Sequence, residues 1–69
     1  METVRVNEET VDGNYVIELF DFKTKEWKYI ATEFSATVSV TIMINLHNAT
    51  GDKCRVLSRR SNNMLLSEV

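Results

Sequence analysis

The stretch SATVSVTIMINLHNATG, residues 35–51, contains no lysine, arginine, aspartate or glutamate, although 26% of the chain is charged. Two secondary structures fit its pattern. In a strand, the apolar residues at every second position from Val38 to Leu46 would share one face, and the β-branched content favours this reading. In a helix, four polar residues would form one narrow stripe, namely Thr37, Thr41, Asn45 and Asn48. The choice decides which side chains point outward.

The two ends of this stretch favour the helix. Ser35 is a good N-cap residue, and Gly51 stands where a left-handed residue would end a helix of about four turns. A strand would instead need a tight reversal at residues 34–36, which contain no Gly, Asn, Asp or Pro. The sequence therefore predicts a helix over residues 36–50, with a broad apolar side formed by Val38, Ile42, Met43, Leu46 and Ala49.

Residues 15–34 contain two runs rich in aromatic and β-branched residues, which is typical of strands. The polar residues 23–26 separate them, so we predict a β-hairpin with a four-residue loop. Facing Phe22 with Trp27 places Asp21 opposite Lys28 and gives the hairpin one aliphatic face. The other face then carries the aromatic residues near the turn, Phe20, Phe22, Trp27 and Tyr29.

Residues 53–60, KCRVLSRR, predict a third strand with Cys54 and Val56 packed inward and with Lys53, Arg55 and Arg59 pointing away. The expected fold is α+β, a small two-layer β-β-α-β domain in which one helix packs on one face of a three-stranded sheet. VRV at residues 4–6 is a candidate for a short fourth edge strand. The core is expected to join Ile17, Leu19, Ile30, Ile42, Leu46 and Val56.

The length of 69 residues leaves room for one domain with a small core. We expect its ordered part to span about residues 3–60, with residues 61–69 as a tail or short helix. One cysteine and no signal-peptide pattern indicate an intracellular, cytoplasmic protein. The uncharged stretch is too short and too polar to span a membrane, so no membrane association is expected.

Motifs for chemistry are missing from the sequence. His47 is the only histidine and Cys54 the only cysteine. They provide one candidate ligand each, whereas zinc takes three or four. No nucleophile, paired carboxylate or cofactor-binding motif accompanies them. We therefore expect no enzyme activity, no catalytic or metal-binding residues, no cofactor and no small-molecule substrate.

The aromatic residues of the hairpin are the best candidates for a binding site. If they face the helix, they form the core; if they face away, they expose an apolar patch of the kind that usually has a partner. The second case predicts a protein-binding module of the adaptor or inhibitor type, which binds another protein or a second copy. Its predicted partner-binding residues are Phe20, Phe22, Trp27, Tyr29, Lys53, Arg55 and Arg59.

Single-stranded nucleic acid is the alternative partner for the same residues. Bases could stack on the aromatic rings while the basic side chains contact phosphates. The sequence pI of about 5.2 and the net charge of −2 oppose this reading, because charge attraction supplies much of the affinity of nucleic-acid binders.

Three segments also carry a resemblance to known proteins: WKYIATEFS at residues 27–35, ATG at residues 49–51 and RVL at residues 55–57. In this order the chain resembles small uncharacterised accessory proteins of bacteriophages and prophages. The resemblance covers residues 15–60. It implies a protein of the host cytoplasm that binds a partner, and no known activity comes with the resemblance.

Overall fold

The computed structural model describes residues 13–69, and the candidate strand at residues 4–6 lies outside them. Four strands form one antiparallel sheet in the order β2-β1-β3-β4. One helix, α1, packs against β1, β2 and β3, so the predicted α+β class is confirmed. The elements are β1 (Tyr15–Asp21), β2 (Glu26–Glu33), α1 (Ala36–Thr50), β3 (Cys54–Ser58), a 3-10 turn (Arg59–Ser61) and β4 (Met64–Glu68).

Helix α1 has the bounds that its capping residues predict. The side chain of Ser35 accepts a hydrogen bond from the backbone N–H of Val38 at 3.2 Å, which satisfies one free donor of the first turn. Gly51 is left-handed, with φ of 78°, and donates its N–H to the carbonyl of His47 at 2.7 Å. Within residues 13–69, no helix has both the length and the apolar character needed to cross a bilayer.

The core lies between α1 and the sheet. Its fully buried members are Ile17, Met43, Cys54 and Val56, and the partly buried Leu19, Ile42 and Leu46 pack against them. The core prediction was wrong for Ile30, which is 42% exposed. On the broad apolar side of α1, Val38 and Ala49 are exposed and do not belong to the core.

Ser39 is buried in the helix although it is polar. Its hydroxyl donates to the carbonyl of Ala36 at 2.7 Å, within the same helix. Because this local bond satisfies the hydroxyl, the residue can face the sheet without an unpaired donor. A buried polar position therefore interrupts the apolar side of α1, which explains why the polar stripe alone did not locate the buried face.

The hairpin register differs from the predicted one by two residues near the turn. Phe20, not Phe22, faces Trp27, and the four-residue loop is 22–25. A shift of two preserves the face of each side chain, because the side-chain period of a strand is two.

A β-bulge at Ile30 shifts the register by one residue, so that Ile17 faces Ala31 and the difference from the predicted register falls to one residue. Ala31 therefore joins the helix side and Thr32 the opposite side, the reverse of the prediction. The extra residue also explains the exposure of Ile30, since a bulged residue has no partner across the strand pair.

The C-terminal segment is a strand, and its prediction as a tail or short helix was wrong. After the 3-10 turn, Asn62 and Asn63 adopt left-handed conformations with φ of 57° and 62°. Asparagine tolerates this region better than most residues, so the pair reverses the chain. Strand β4 then pairs antiparallel with β3, with a second bulge at Leu66. The sheet's fourth strand is thus at the C-terminal end of the chain.

An ion pair at the hairpin turn should make the free energy of unfolding depend on pH in the acidic range. Asp21 Oδ2 lies 2.8 Å from Lys28 Nζ, and the Asp21 side chain also accepts the N–H of Lys23 at 2.8 Å. The hydrogen bond from Lys28, followed by that from Lys23, lowers the pKa of Asp21 from 3.8 to about 2. The same contact raises the pKa of Lys28.

We therefore expect the ionised Asp21 to stabilise the fold above pH 3.8 and to lose this effect as the pH falls toward 2. Urea unfolding of the wild type and of Asp21→Asn at several pH values measures it. The stability difference between the two proteins should shrink across this range. A constant difference between neutral pH and pH 2 would contradict the assignment.

Candidate functional site

The sheet has a second face, opposite α1, which we call the outer sheet face. Because neighbouring side chains of a strand point to opposite sides, burial of Ile17 against α1 places Val16 and Glu18 on this outer side. Cross-strand partners share a face, so the pairings assign the remaining members. The outer sheet face consists of Val16, Glu18, Phe20, Trp27, Tyr29, Thr32, Arg55, Leu57, Leu65 and Glu68.

Three aromatic rings cluster at the hairpin end of this face. The Phe20 ring lies between two others, with its centroid 5.3 Å from that of Trp27 and 4.9 Å from that of Phe22. Both pairs are edge-to-face, the geometry that the ring quadrupoles favour. Tyr29 lies further along β2 opposite Glu18 and is 37% exposed. The structure thus places all four predicted aromatic residues on the side away from the helix.

Arg55 joins this cluster from β3. Its guanidinium carbon lies 4.0 Å from the centroid of the Trp27 ring, which is a cation–π contact. Its Nε donates to Oε1 of Glu18 at 2.8 Å, and its Nη2 lies 2.7 Å from the same oxygen. Since Glu18 holds two of its nitrogens, the guanidinium is fixed against the tryptophan ring.

Glu18 is the residue that the sequence analysis did not single out. It is only 1% exposed and faces Arg55 across the β1–β3 pair. Buried carboxylates are rare unless they are paired. A signal was present in the sequence, since Glu18 is the only charged residue between Tyr15 and Phe20. An acid in the middle of an apolar strand predicts a buried basic partner.

Exposure increases along this face toward the hairpin turn. Val16 and Glu18 are buried, Phe20 and Trp27 are partly exposed, and Phe22 at the turn is 52% exposed. The outer sheet face is therefore accessible at its hairpin end, and also at the β4 edge, where Leu65 is 51% exposed. We call the group Phe20, Phe22, Trp27, Tyr29 and Arg55 the aromatic–arginine cluster.

The other basic residues of the predicted site lie apart from this cluster. Lys53 Nζ is 3.5 Å from the carboxylate of Glu68, and Arg59 Nη1 donates to the carbonyl of Gly13 at 3.0 Å. Of the three predicted basic contacts, only Arg55 is brought to the aromatic rings. Each of the three is engaged with an acceptor of the chain itself.

Neither His47 nor Cys54 forms part of a reactive group of side chains. His47 Nδ1 makes a hydrogen bond with the carbonyl oxygen of Asp52 at 2.8 Å, just beyond the end of α1. Cys54 is buried, and this burial raises the pKa of its thiol, which disfavours the reactive thiolate. Across residues 13–69, no group of three or more His, Cys, Asp and Glu side chains could hold a metal ion.

Comparison with known proteins gave no relative. No family model, curated protein or solved structure matches the chain. The function must therefore be inferred from the chemistry of the surface.

Proposed function

We propose that this chain is a small non-enzymatic protein-binding module that uses the aromatic–arginine cluster as its interface. The observation that carries the proposal is the arrangement of Arg55, whose guanidinium lies over the Trp27 ring while the buried Glu18 holds it. Tryptophan, tyrosine and arginine are the residues that contribute most binding energy at protein interfaces. Here they occur together at the accessible end of one sheet face.

Preorganisation strengthens this proposal. Binding usually orders long side chains at an entropic cost of about 0.5–1.5 kcal/mol for each one immobilised. The two contacts with Glu18 already fix the guanidinium of Arg55, and the edge-to-face contacts with Phe20 restrict the neighbouring rings. A partner would therefore meet an ordered surface. The partner best suited to it presents an apolar or aromatic group, bordered by acceptors for the free N–H groups of Arg55.

Single-stranded nucleic acid remains the second candidate, because the exposed rings could stack with bases. The charges of the outer sheet face favour a protein instead. Glu18 neutralises Arg55 and Glu68 lies beside Lys53, so a phosphate backbone would meet two acidic groups next to the basic ones. In a chain of net charge −2, the electrostatic attraction that nucleic-acid binders rely on is weak.

The biological setting follows from the same proposal. An adaptor or inhibitor in the cytoplasm, or in the host cytoplasm if the chain is viral, fits a small domain whose best surface feature is a binding patch. The resemblance to accessory proteins of bacteriophages and prophages is in keeping with this role, and we propose it as the setting in which to seek the partner.

Mapping the contact surface tests the proposal. A partner is first captured from the native cell, and the isotope-labelled chain is then titrated with the purified partner while amide and indole resonances are followed. We expect the largest changes at the Trp27 indole N–H and at residues 20–29. Changes confined to α1 or β4 would contradict the proposed interface.

A parallel titration with oligo-dT at low and high salt separates the two partner classes. For a protein-binding module, we expect no change at the aromatic–arginine cluster even at low salt. Large changes that vanish at high salt would instead assign the cluster to nucleic acid.

A further inference from the structure

The two edges of the sheet differ in character. Strand β2 carries charged residues along its length, Glu26, Lys28 and Glu33, which hinder the addition of another strand. Strand β4, with the sequence MLLSE, has a single charge at Glu68. Its three apolar side chains are exposed: Met64 by 65%, Leu65 by 51% and Leu66 by 46%. Of the two edges, β4 is therefore the one suited to accept a further strand.

Among residues 13–69, β4 is an edge strand, so part of its backbone polar groups faces no other described strand. Directly after β3, the N–H of Arg59 donates to the carbonyl of Asn14, the residue before β1. Since successive residues of a strand direct these groups to alternate sides, Leu57 also directs its N–H and C=O toward β1. Leu65 is the partner of Leu57 on β4. Because Leu57 directs its backbone groups toward β1, the two residues form a non-hydrogen-bonded pair. The N–H and C=O of Leu65 consequently point away from β3, toward the open edge.

Within residues 13–69, the helix side of β4 is covered less than that of the other strands. Helix α1 lies over β1, β2 and β3, which leaves an open groove of about 460 Å³ between the first half of α1 and β4. Its lining is mostly apolar or small: Ala36, Thr37, Val40, Thr41, Leu66 and Ser67. An added strand would place side chains next to this groove.

We propose that a second copy of this chain pairs its β4 antiparallel with this edge, with Leu65 facing Leu65 of the second copy. The direction of the free backbone groups selects this register, because Leu65 can then exchange two hydrogen bonds with its counterpart. Met64 of each copy lies opposite Leu66 of the other. All three exposed apolar residues thus gain apolar partners, and the contact is self-complementary, as a two-fold interface requires.

The distribution of charge also favours a second copy of this chain as the partner of β4. Antiparallel pairing brings the Glu68 end of one β4 beside the turn that precedes β4 in the other copy, and this turn carries Arg60, whose side chain is exposed. The two-fold axis produces this approach of Glu68 to Arg60 twice, once at each end of the paired strands. The two Glu68 side chains are therefore far from each other. An unrelated peptide would need to supply this pattern by itself, whereas a second copy already has it.

The dimer goes beyond the proposed function and leaves its interface free. Strand β4 and the hairpin turn are on different sides of the domain, since β3 and β1 separate β4 from β2. Pairing of two β4 strands gives one eight-stranded sheet, with an aromatic–arginine cluster near each end of the same face. The assembly would present two partner-binding sites.

Sedimentation equilibrium tests the association. The paired segment is short, because the bulge at Leu66 interrupts it, so we expect a weak dimer whose fraction increases with concentration up to about 1 mM. Leu65→Lys should raise the dimer dissociation constant at least tenfold. Ile44→Lys, at an equally apolar exposed position on α1, is the matched control and should leave it unchanged, as should Trp27→Ala.

Cross-linking tests the register. Facing residues of a hydrogen-bonded antiparallel pair have Cα atoms about 5.5 Å apart, a distance that a disulfide spans. Leu65→Cys should form a covalent dimer under mild oxidation much faster than Ile44→Cys, while the native Cys54 is buried in both. A monomer at every concentration would overturn the proposal. So would a dimer that Leu65→Lys leaves intact, or equal cross-linking of the two cysteine variants.

Discussion

Replacement of Met43 with alanine is expected to lower the free energy of unfolding by about 2–5 kcal/mol. Met43 is fully buried at the centre of the core, where it packs with Ile17, Cys54 and Val56. Truncation removes its apolar contacts and leaves a cavity between α1 and the sheet, which the surrounding residues fill only in part. Since small domains are stable by only about 5–15 kcal/mol, the variant should be close to unfolding. Urea denaturation followed by circular dichroism measures the loss.

Ile44→Ala is the control for this experiment, because Ile44 is the next residue of α1 and is 41% exposed. Its loss should stay below about 1 kcal/mol, since an exposed side chain forfeits little burial. Equal losses at the two positions would mean that the buried face of α1 is assigned incorrectly.

The helix could be predicted from the sequence because its ends carry specific signals. Ser35 and Gly51 perform the capping roles that their residue types favour. The buried face was harder to predict, because the apolar residues of this stretch extend almost all around the helix. The buried Ser39 and the exposed Val38 show that position relative to the sheet, not hydrophobicity, decided which residues became core.

The sheet register could not be predicted, because the residues at the bulges look like ordinary strand residues. Ile30 has high strand propensity and fits the aliphatic face of a regular hairpin. In the structure, Ile17 of β1 pairs with Ala31 on β2 and with Val56 on β3. Ile30 is therefore left without a cross-strand partner. For β4 a signal existed in Asn62 and Asn63, which favour a turn and precede the apolar residues 64–66.

The candidate site was predicted in part. The aromatic residues follow from the alternation of the hairpin, and a shift of two residues does not change their face. The contact of Arg55 with Trp27 depends on the tertiary pairing of β3 with β1. Nothing in the local sequence connects residues 27 and 55. The buried Glu18 connects them physically, because it holds the guanidinium in place.

The second large effect is expected at Trp27. Its ring lies under the Arg55 guanidinium and forms an edge-to-face pair with Phe20, and it is only partly buried. Trp27→Ala should therefore weaken partner binding by about 2 kcal/mol or more, which is roughly thirtyfold in the dissociation constant. The loss in unfolding free energy should be smaller, because a ring that remains partly exposed contributes only part of its burial energy.

The central claim is that the aromatic–arginine cluster is a binding surface and not part of the core. The most direct test measures both free energies for Trp27→Ala: partner affinity by calorimetry and stability by urea unfolding, with Ile44→Lys as the control. We expect Trp27→Ala to remain folded and to lose at least thirtyfold in affinity, while the control keeps the wild-type affinity. A variant that unfolds, or one that binds the partner as tightly as the wild type, would contradict the claim.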